Sequence, residues 1–155
     1  MSWFSRDPGR PLTPGERHLA WQMFGCTLDP DPVRIHRAKW FPFQPRNVAM
    51  APDGHIWFHP DGGLWRKDFG AAPLRLQAFL VHELTHVWQH QCGLRLLLRR
   101  HPFCRYEYRI EPGRPLARYG IEQQAMIVEH AFLARQAGKP EPALEAVLAE
   151  AGLAT

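Results

Sequence analysis

Long apolar runs are missing from this 155-residue sequence, and none approaches the length of a membrane span. The opening stretch, Met1-Ser2-Trp3-Phe4-Ser5-Arg6-Asp7-Pro8-Gly9-Arg10, lacks the apolar segment of a secretory signal. The expectation is synthesis in the cytoplasm, with another route needed for any action elsewhere. Cysteine is scarce too. Cys26, Cys92 and Cys104 are an odd number at unrelated spacings, which rules out a disulfide framework while leaving room for one bridge. Without a C-x-x-C pair, the usual cysteine zinc sites are excluded as well. Internal repeats, low-complexity tracts and dividing linkers are all absent, and this length suits one domain burying roughly two-thirds of its unfolded surface. The net charge of +4 and pI of about 9.3 rest on scattered arginines. Their one cluster, Arg95 to Arg100, reads as a solvated helix end, where cations favour the dipole. No nucleic-acid partner is expected.

What the sequence does have is punctuation. Fifteen prolines and twelve glycines imply many turns rather than a plain helical bundle. Residues 1–12 read as a flexible arm ahead of a single domain over 13–155. Thr13, Pro14 and Glu16 form a capping box at the start of a helix, whose apolar positions Leu19, Ala20, Met23 and Phe24 run to Gly25. Val33 to His36 alternates like a short strand. The turn Pro52-Asp53-Gly54 joins Asn47–Met50 to His55–His59 as a hairpin. A small, largely antiparallel sheet is thus expected before the main helix, with Ile56-Trp57-Phe58 as an edge able to hold an extended peptide.

The main helix runs from near Pro73 to about Gln91, with Gly93 as its stop. Leu94 to Leu98 reads as a further short helix, and Arg105 to Ile110 as a strand or extended arm. Helical periodicity returns from Tyr119 to Gly138 and again from Ala143 to Ala151. The fold class is α+β.

Within the main helix lies His82-Glu83-Leu84-Thr85-His86, an H-E-x-x-H pattern in strongly apolar surroundings. Residues four apart share a helix face, so the two imidazoles can take two corners of a tetrahedral Zn²⁺. Glu83 can then reach an activated water as general base. A buried carboxylate beside two imidazoles would be expensive without a cation.

A catalytic zinc needs a third protein ligand from another element. Glu122 opens the next long helix and is the best candidate. Glu129, two turns later on much the same face, is the alternative ligand or a partner for a ligand imidazole. Glu107 and Glu111 are weaker, being on extended or turn sequence. His90 shares the face of His86. However, three ligands on one straight helix cannot converge, because His82 and His90 lie about 12 Å apart along the axis. It reads as surface or as support for a ligand. Cys92 is a conceivable thiolate ligand, though a small buried hydrophobe is the commoner role. His36, His55, His59 and His101 read as ordinary surface histidines. Tyr106, Tyr108 and Tyr119 could each donate to a developing oxyanion, and nothing in the sequence chooses among them.

Several stretches carry a wider resemblance: Thr13-Pro14-Gly15-Glu16, Val33-Arg34-Ile35-His36, Phe41-Pro42-Phe43-Gln44-Pro45, Asn47-Val48-Ala49-Met50, Ile56-Trp57-Phe58, Val81 to Gln89 and Ile121-Glu122-Gln123-Gln124-Ala125. In this order the sequence resembles a bacterial family of small zinc metallopeptidase domains. These occur alone, in Rhs/VgrG neighbourhoods, and as C-terminal effector domains of type VI secretion spike proteins. The likeness covers about residues 11–135. H-E-x-x-H is shared by many zincins, whereas the flanking Val87-Trp88-Gln89 and Glu122-Gln123-Gln124 are more particular.

The resemblance implies a zincin-like fold and a gluzincin-like site, with His82, His86 and Glu122 on zinc and Glu83 as base. It also implies a toxin that cleaves a peptide or protein substrate in the periplasm of a neighbouring bacterium. The implied partners are an immunity protein and a secretion spike. Two other classes stand beside this reading: a non-catalytic zinc-binding or interaction protein, and a zinc amidase acting on cell-wall amide bonds.

Overall fold

The structure, a computed structural model, describes residues 7–96 and 105–154. The short helix read at Leu94–Leu98 and the arginine cluster run into residues outside that range. His101 and Cys104 lie wholly outside it. The elements are β1 (Arg10–Pro11), α1 (Pro14–Phe24), β2 (Arg34–His36), β3 (Ala49–Met50), β4 (Ile56–Phe58), α2 (Leu74–Gln91), α3 (Ile121–Gln136) and α4 (Pro142–Glu150). A cluster of buried apolar residues reaches from Leu12 to Leu153 and includes Phe24, Phe58, Phe69, Leu80, Leu84, Ile127 and Phe132. Among the described residues, no helix is long and apolar enough to cross a membrane. Cys26 and Cys92 are exposed free thiols.

The capping box read at α1 is present: Thr13 Oγ1 accepts from the Glu16 amide, and Glu16 Oε2 accepts from the Thr13 amide at 2.9 Å. Glu16 does more than cap. Its side chain is fully buried and takes a bidentate fork from Arg10 at 2.8 Å per arm. It also accepts from the Phe69 amide at 2.9 Å. One carboxylate therefore joins β1, α1 and the 3₁₀ turn Phe69–Ala71 that leads into α2. Gly15 and Gly70 meet at that junction. A Cβ on Gly70 would lie 2.7 Å from Gly15 Cα, so only glycine permits this approach.

Within the arm read over residues 1–12, Arg10 and Pro11 instead pair antiparallel with β2, and Leu12 is buried. The sheet is mixed rather than largely antiparallel, with strand order β1-β2-β4-β3. β3 and β4 form the expected hairpin, but β4 then enters beside β2 in parallel. The connection over 37–48 makes this topology. It carries the chain past the position of β4 to the sheet edge, and the hairpin returns it inward. Buried Gln44 fixes the crossover: Oε1 accepts from the Trp40 amide, and Nε2 donates to the carbonyls of Val48 and Trp57. Arg105–Ile110 belongs to no strand of the described residues and has no regular secondary structure.

Since β2 is an inner strand, His36 is buried rather than at the surface. Its ring stacks on Trp57 at 3.7 Å, and Nδ1 lies 3.2 Å from the Asp7 carbonyl. His59 is also largely buried, with Nδ1 accepting from the Asp61 amide. α2 packs most extensively on α3, which is itself covered by α4 on another side. α2 stops where Gly93 takes φ +89°, letting the Leu94 amide close back on the Gln89 carbonyl at 3.1 Å.

Removing one member of a buried ion pair strands the other, at a cost of about 3 kcal/mol. Glu16→Ala is accordingly expected to lower the unfolding free energy by about 3 kcal/mol in denaturant titration. A loss below about 1 kcal/mol, the size of an isolated cap, would show that the fork and the Phe69 contact add nothing.

Candidate metal centre

α2 is a helix built to hold side chains still. Leu76, Leu80, Val81, Leu84 and Val87 are essentially without solvent exposure. Thr85, inside the motif, is so enclosed that its hydroxyl donates back to the Val81 carbonyl at 2.9 Å. This fixes the opposite face, on which His82 and His86 stand one turn apart with ring centroids 5.1 Å from each other. α3 begins alongside at Gly120, whose amide donates to Gln123 Oε1 at 2.8 Å. Glu122 sits in its first turn, where the helix dipole favours an anion.

The two helices bring three ligand atoms together. Glu122 Oε2 lies 3.1 Å from His82 Nε2 and 3.1 Å from His86 Nε2. Candidate ligand atoms of all three residues fall within 4.8 Å of one another, and all three residues are buried. A tetrahedral ion with ligands at about 2.0 Å has edges of about 3.3 Å, so both His–Glu separations match such an edge. The donor set, two imidazoles and one carboxylate, is that of a zinc site with an open position.

The far nitrogens bear on how well a cation fits there. His82 Nδ1 lies 3.0 Å from Glu129 Oε2, and His86 Nδ1 lies 2.9 Å from Gln89 Oε1. Both partners are acceptors, so each Nδ1 is the donor. A neutral ring then turns the lone pair of Nε2 toward a carboxylate oxygen. Three buried acceptors facing one point repel unless a positive charge lies among them.

The protonation energetics agree. Burial works against a charged His82 ring, but hydrogen bonds to Glu122 and Glu129 outweigh it and raise its pKa to about 10. Burial likewise disfavours a charged Glu122, yet hydrogen bonds from His82 and His86 hold its carboxyl well below the usual carboxylate range.

The remaining sequence candidates separate cleanly. Glu129 stands behind His82, on the nitrogen turned away from Glu122. His90 is exposed and lies against Gly54 of the hairpin turn. Cys92, also exposed, borders a different depression beside Trp88. The Glu107 carbonyl accepts from Gln123 Nε2, and Glu111 pairs with Arg114. Tyr119 hydroxyl accepts from the Glu111 amide, and Tyr108 hydroxyl lies 2.6 Å from His130 Nδ1. Tyr106 is the tyrosine beside the site, its ring 6.4 Å from that of His82.

A cleft of about 280 Å³ opens over the three ligands, with Glu83 and Tyr106 in its wall. Val48, Ala49, Pro52, Phe79, Ile121 and Met126 make it largely apolar. Glu83 is buried and adjacent to the first ligand in sequence. The strand bordering this cleft is β3, at one edge of the sheet. Ile56-Trp57-Phe58, expected as the edge, is instead interior between β2 and β3. Gln89 and Gln124 are site residues whose roles sequence reasoning did not assign. Their only signal was membership of the Val87-Trp88-Gln89 and Glu122-Gln123-Gln124 flanks.

Fold and site together define an α+β domain with a buried two-histidine, one-glutamate centre on facing helices. No family model matches the chain. The solved effector domain of Pseudomonas aeruginosa VgrG2b is similar to it, with a TM-score of 0.77 and 36% identity over 92% of this chain and 83% of that one. The type VI secretion system spike protein VgrG2b of P. aeruginosa is 40% identical over 136 residues, which cover 82% of this chain and 13% of the spike protein. The chain belongs to the VgrG2b effector-domain family.

The proton on His82 gives a pH signature to protein stripped of metal. Its folded pKa, about 10, lies above the ordinary 6.5, so its contribution to stability is complete below pH 6.5 and disappears as pH rises toward 10. Denaturation midpoints of chelator-treated protein should fall across that window, and a flat profile would contradict the pairing. A metal ion bound at His82 Nε2 would have to displace the same proton, so its affinity should rise with pH over this range.

Proposed function

We propose that this domain is a zinc-dependent metallopeptidase acting as a type VI secretion effector. The observation that carries the reading is the convergence of His82, His86 and Glu122 at a cleft walled by Glu83. His82, His86 and Glu122 would hold the zinc, which when bound would supply Lewis-acid chemistry for activating water and polarising a carbonyl. Glu83 is the group that takes the proton from the attacking water. It then delivers that proton to the departing nitrogen, so hydrolysis adds one water across the C–N bond and leaves Glu83 as it began. Glu129 and Gln89 hold the imidazoles in place during the exchange. An extended peptide adds along β3 through main-chain hydrogen bonds. The apolar walls suit an apolar side chain near the scissile bond.

A purely structural zinc site has no use for a carboxylate at position 83, which favours catalysis over an interaction role. The similarity to the VgrG2b effector domain supports delivery by a secretion spike into a neighbouring bacterium, with action in the periplasm and an immunity protein protecting the producer. A zinc amidase cutting cell-wall amides would use the same centre. Cleavage profiling on peptide libraries beside purified peptidoglycan separates the two.

Glu83→Gln should retain zinc and fold while hydrolysis falls at least about a hundredfold. Toxicity of the periplasm-directed protein should disappear with it. Undiminished toxicity in that variant would sink the hydrolase reading. Glu122→Ala should weaken zinc binding far more than Glu129→Ala, for which about ten- to a hundredfold is expected. Chelator competition measures both, and the reverse order would exchange their roles.

A further inference from the structure

The two histidines are supported differently. A carboxylate holds His82 Nδ1, but a neutral amide holds His86 Nδ1, and an amide can face either way. Here its direction is fixed by the backbone. Gln89 Nε2 donates to the Ile121 carbonyl at 3.0 Å, and that carbonyl can only accept. The same Nε2 donates to Gln124 Oε1 at 3.0 Å. Gln124 is oriented in turn by a second carbonyl, since its Nε2 donates to Tyr119 O at 2.9 Å. Rotating either amide by half a turn would set oxygen against oxygen in a region with almost no solvent, Gln89 being fully buried and Gln124 nearly so. Gln89 therefore presents its oxygen to His86 at 2.9 Å, and Nδ1 must carry the proton.

We propose that Gln89, oriented by Gln124, is a positioning residue that fixes the tautomer of His86 and leaves its Nε2 lone pair free to bind a metal. The working motif is then H-E-x-x-H-x-x-Q on α2 with E-x-Q on α3. The third residue after the second histidine aims that histidine, and the second residue after Glu122 aims the glutamine. Because the relay starts from the Tyr119 and Ile121 carbonyls, docking α3 on α2 sets the proton on His86 in the same event that delivers Glu122. The purpose of this arrangement rests on the zinc reading, whereas the tautomer can be read without metal.

Long-range ¹H–¹⁵N spectra of the imidazoles in the metal-free protein should show His86 carrying a proton on Nδ1. A neutral ring protonated on Nε2 overturns the proposal. Gln89→Leu keeps the volume and removes the acceptor. It should give a mixture of His86 tautomers and weaken zinc binding about ten- to a hundredfold by chelator competition. Gln124→Leu removes the bond that orients Gln89 and should shift both readouts the same way, with zinc about three- to tenfold weaker. A folded Gln89→Leu protein with unchanged tautomer and zinc affinity overturns the assignment. If that variant does not fold, the wild-type spectrum and Gln124→Leu decide: unchanged readouts in Gln124→Leu remove the relay. Wild-type protein that shows the Nδ1 tautomer yet binds no zinc would contradict the metal reading while supporting the relay.

Discussion

Everything in this domain bears on the approach of one oxygen to two nitrogens. Glu122 Oε2 sits 3.1 Å from the Nε2 atoms of both His82 and His86, in a buried setting. In water such a cluster would be unremarkable, since each group would keep its own hydration. Out of water, the lone pairs oppose one another, and only a cation or a shared proton relieves them. Whichever of the two is present, the contact requires α2 and α3 to be held in register. The rest of the structure can be understood as the apparatus that holds the two helices in that register.

That apparatus has identifiable parts. The apolar stripe of α2 and the inner face of α3 bury enough surface to drive the helices together. Glu16 anchors the turn entering α2 to the start of the chain through Arg10 and the Phe69 amide. Gln44 performs a similar task for the sheet, pinning the crossover that leaves β3 at the edge beside the cleft. In each case a buried polar side chain ties a loop or turn to a regular element. Gln89 and Gln124 repeat the device directly under the ligands.

How much of this was legible beforehand follows from the range of each interaction. The capping box at Thr13 and Glu16, the Pro-Asp-Gly hairpin and the extent of α2 depend on neighbours within a few residues, and their signatures were plain. Glu122 could be read because a helix start carrying an acid is a local pattern. Its distance to the histidines was not local. The parallel pairing of β2 with β4 was invisible, because it follows from where a loop crosses rather than from alternation within either strand. The burial of His36 was hidden for the same reason: a short alternating strand does not say whether one or both of its faces will be covered. Gln89 and Gln124 received no role, since nothing in composition marks an amide that joins a histidine of its own helix to groups on the facing one.

The link from this geometry to type VI secretion rests on membership of the VgrG2b effector-domain family, and the link to hydrolysis rests on the centre itself. Those two supports are independent, and the centre is the more exposed to test. X-ray absorption at the zinc edge of protein loaded with one equivalent of metal addresses it most directly. The account predicts tight binding of one ion with two imidazole nitrogens, one carboxylate oxygen and one further light atom, and with the carboxylate signal lost in Glu122→Ala. A sulfur neighbour, a third imidazole, or a zinc sphere unchanged by removing the Glu122 carboxylate would contradict it.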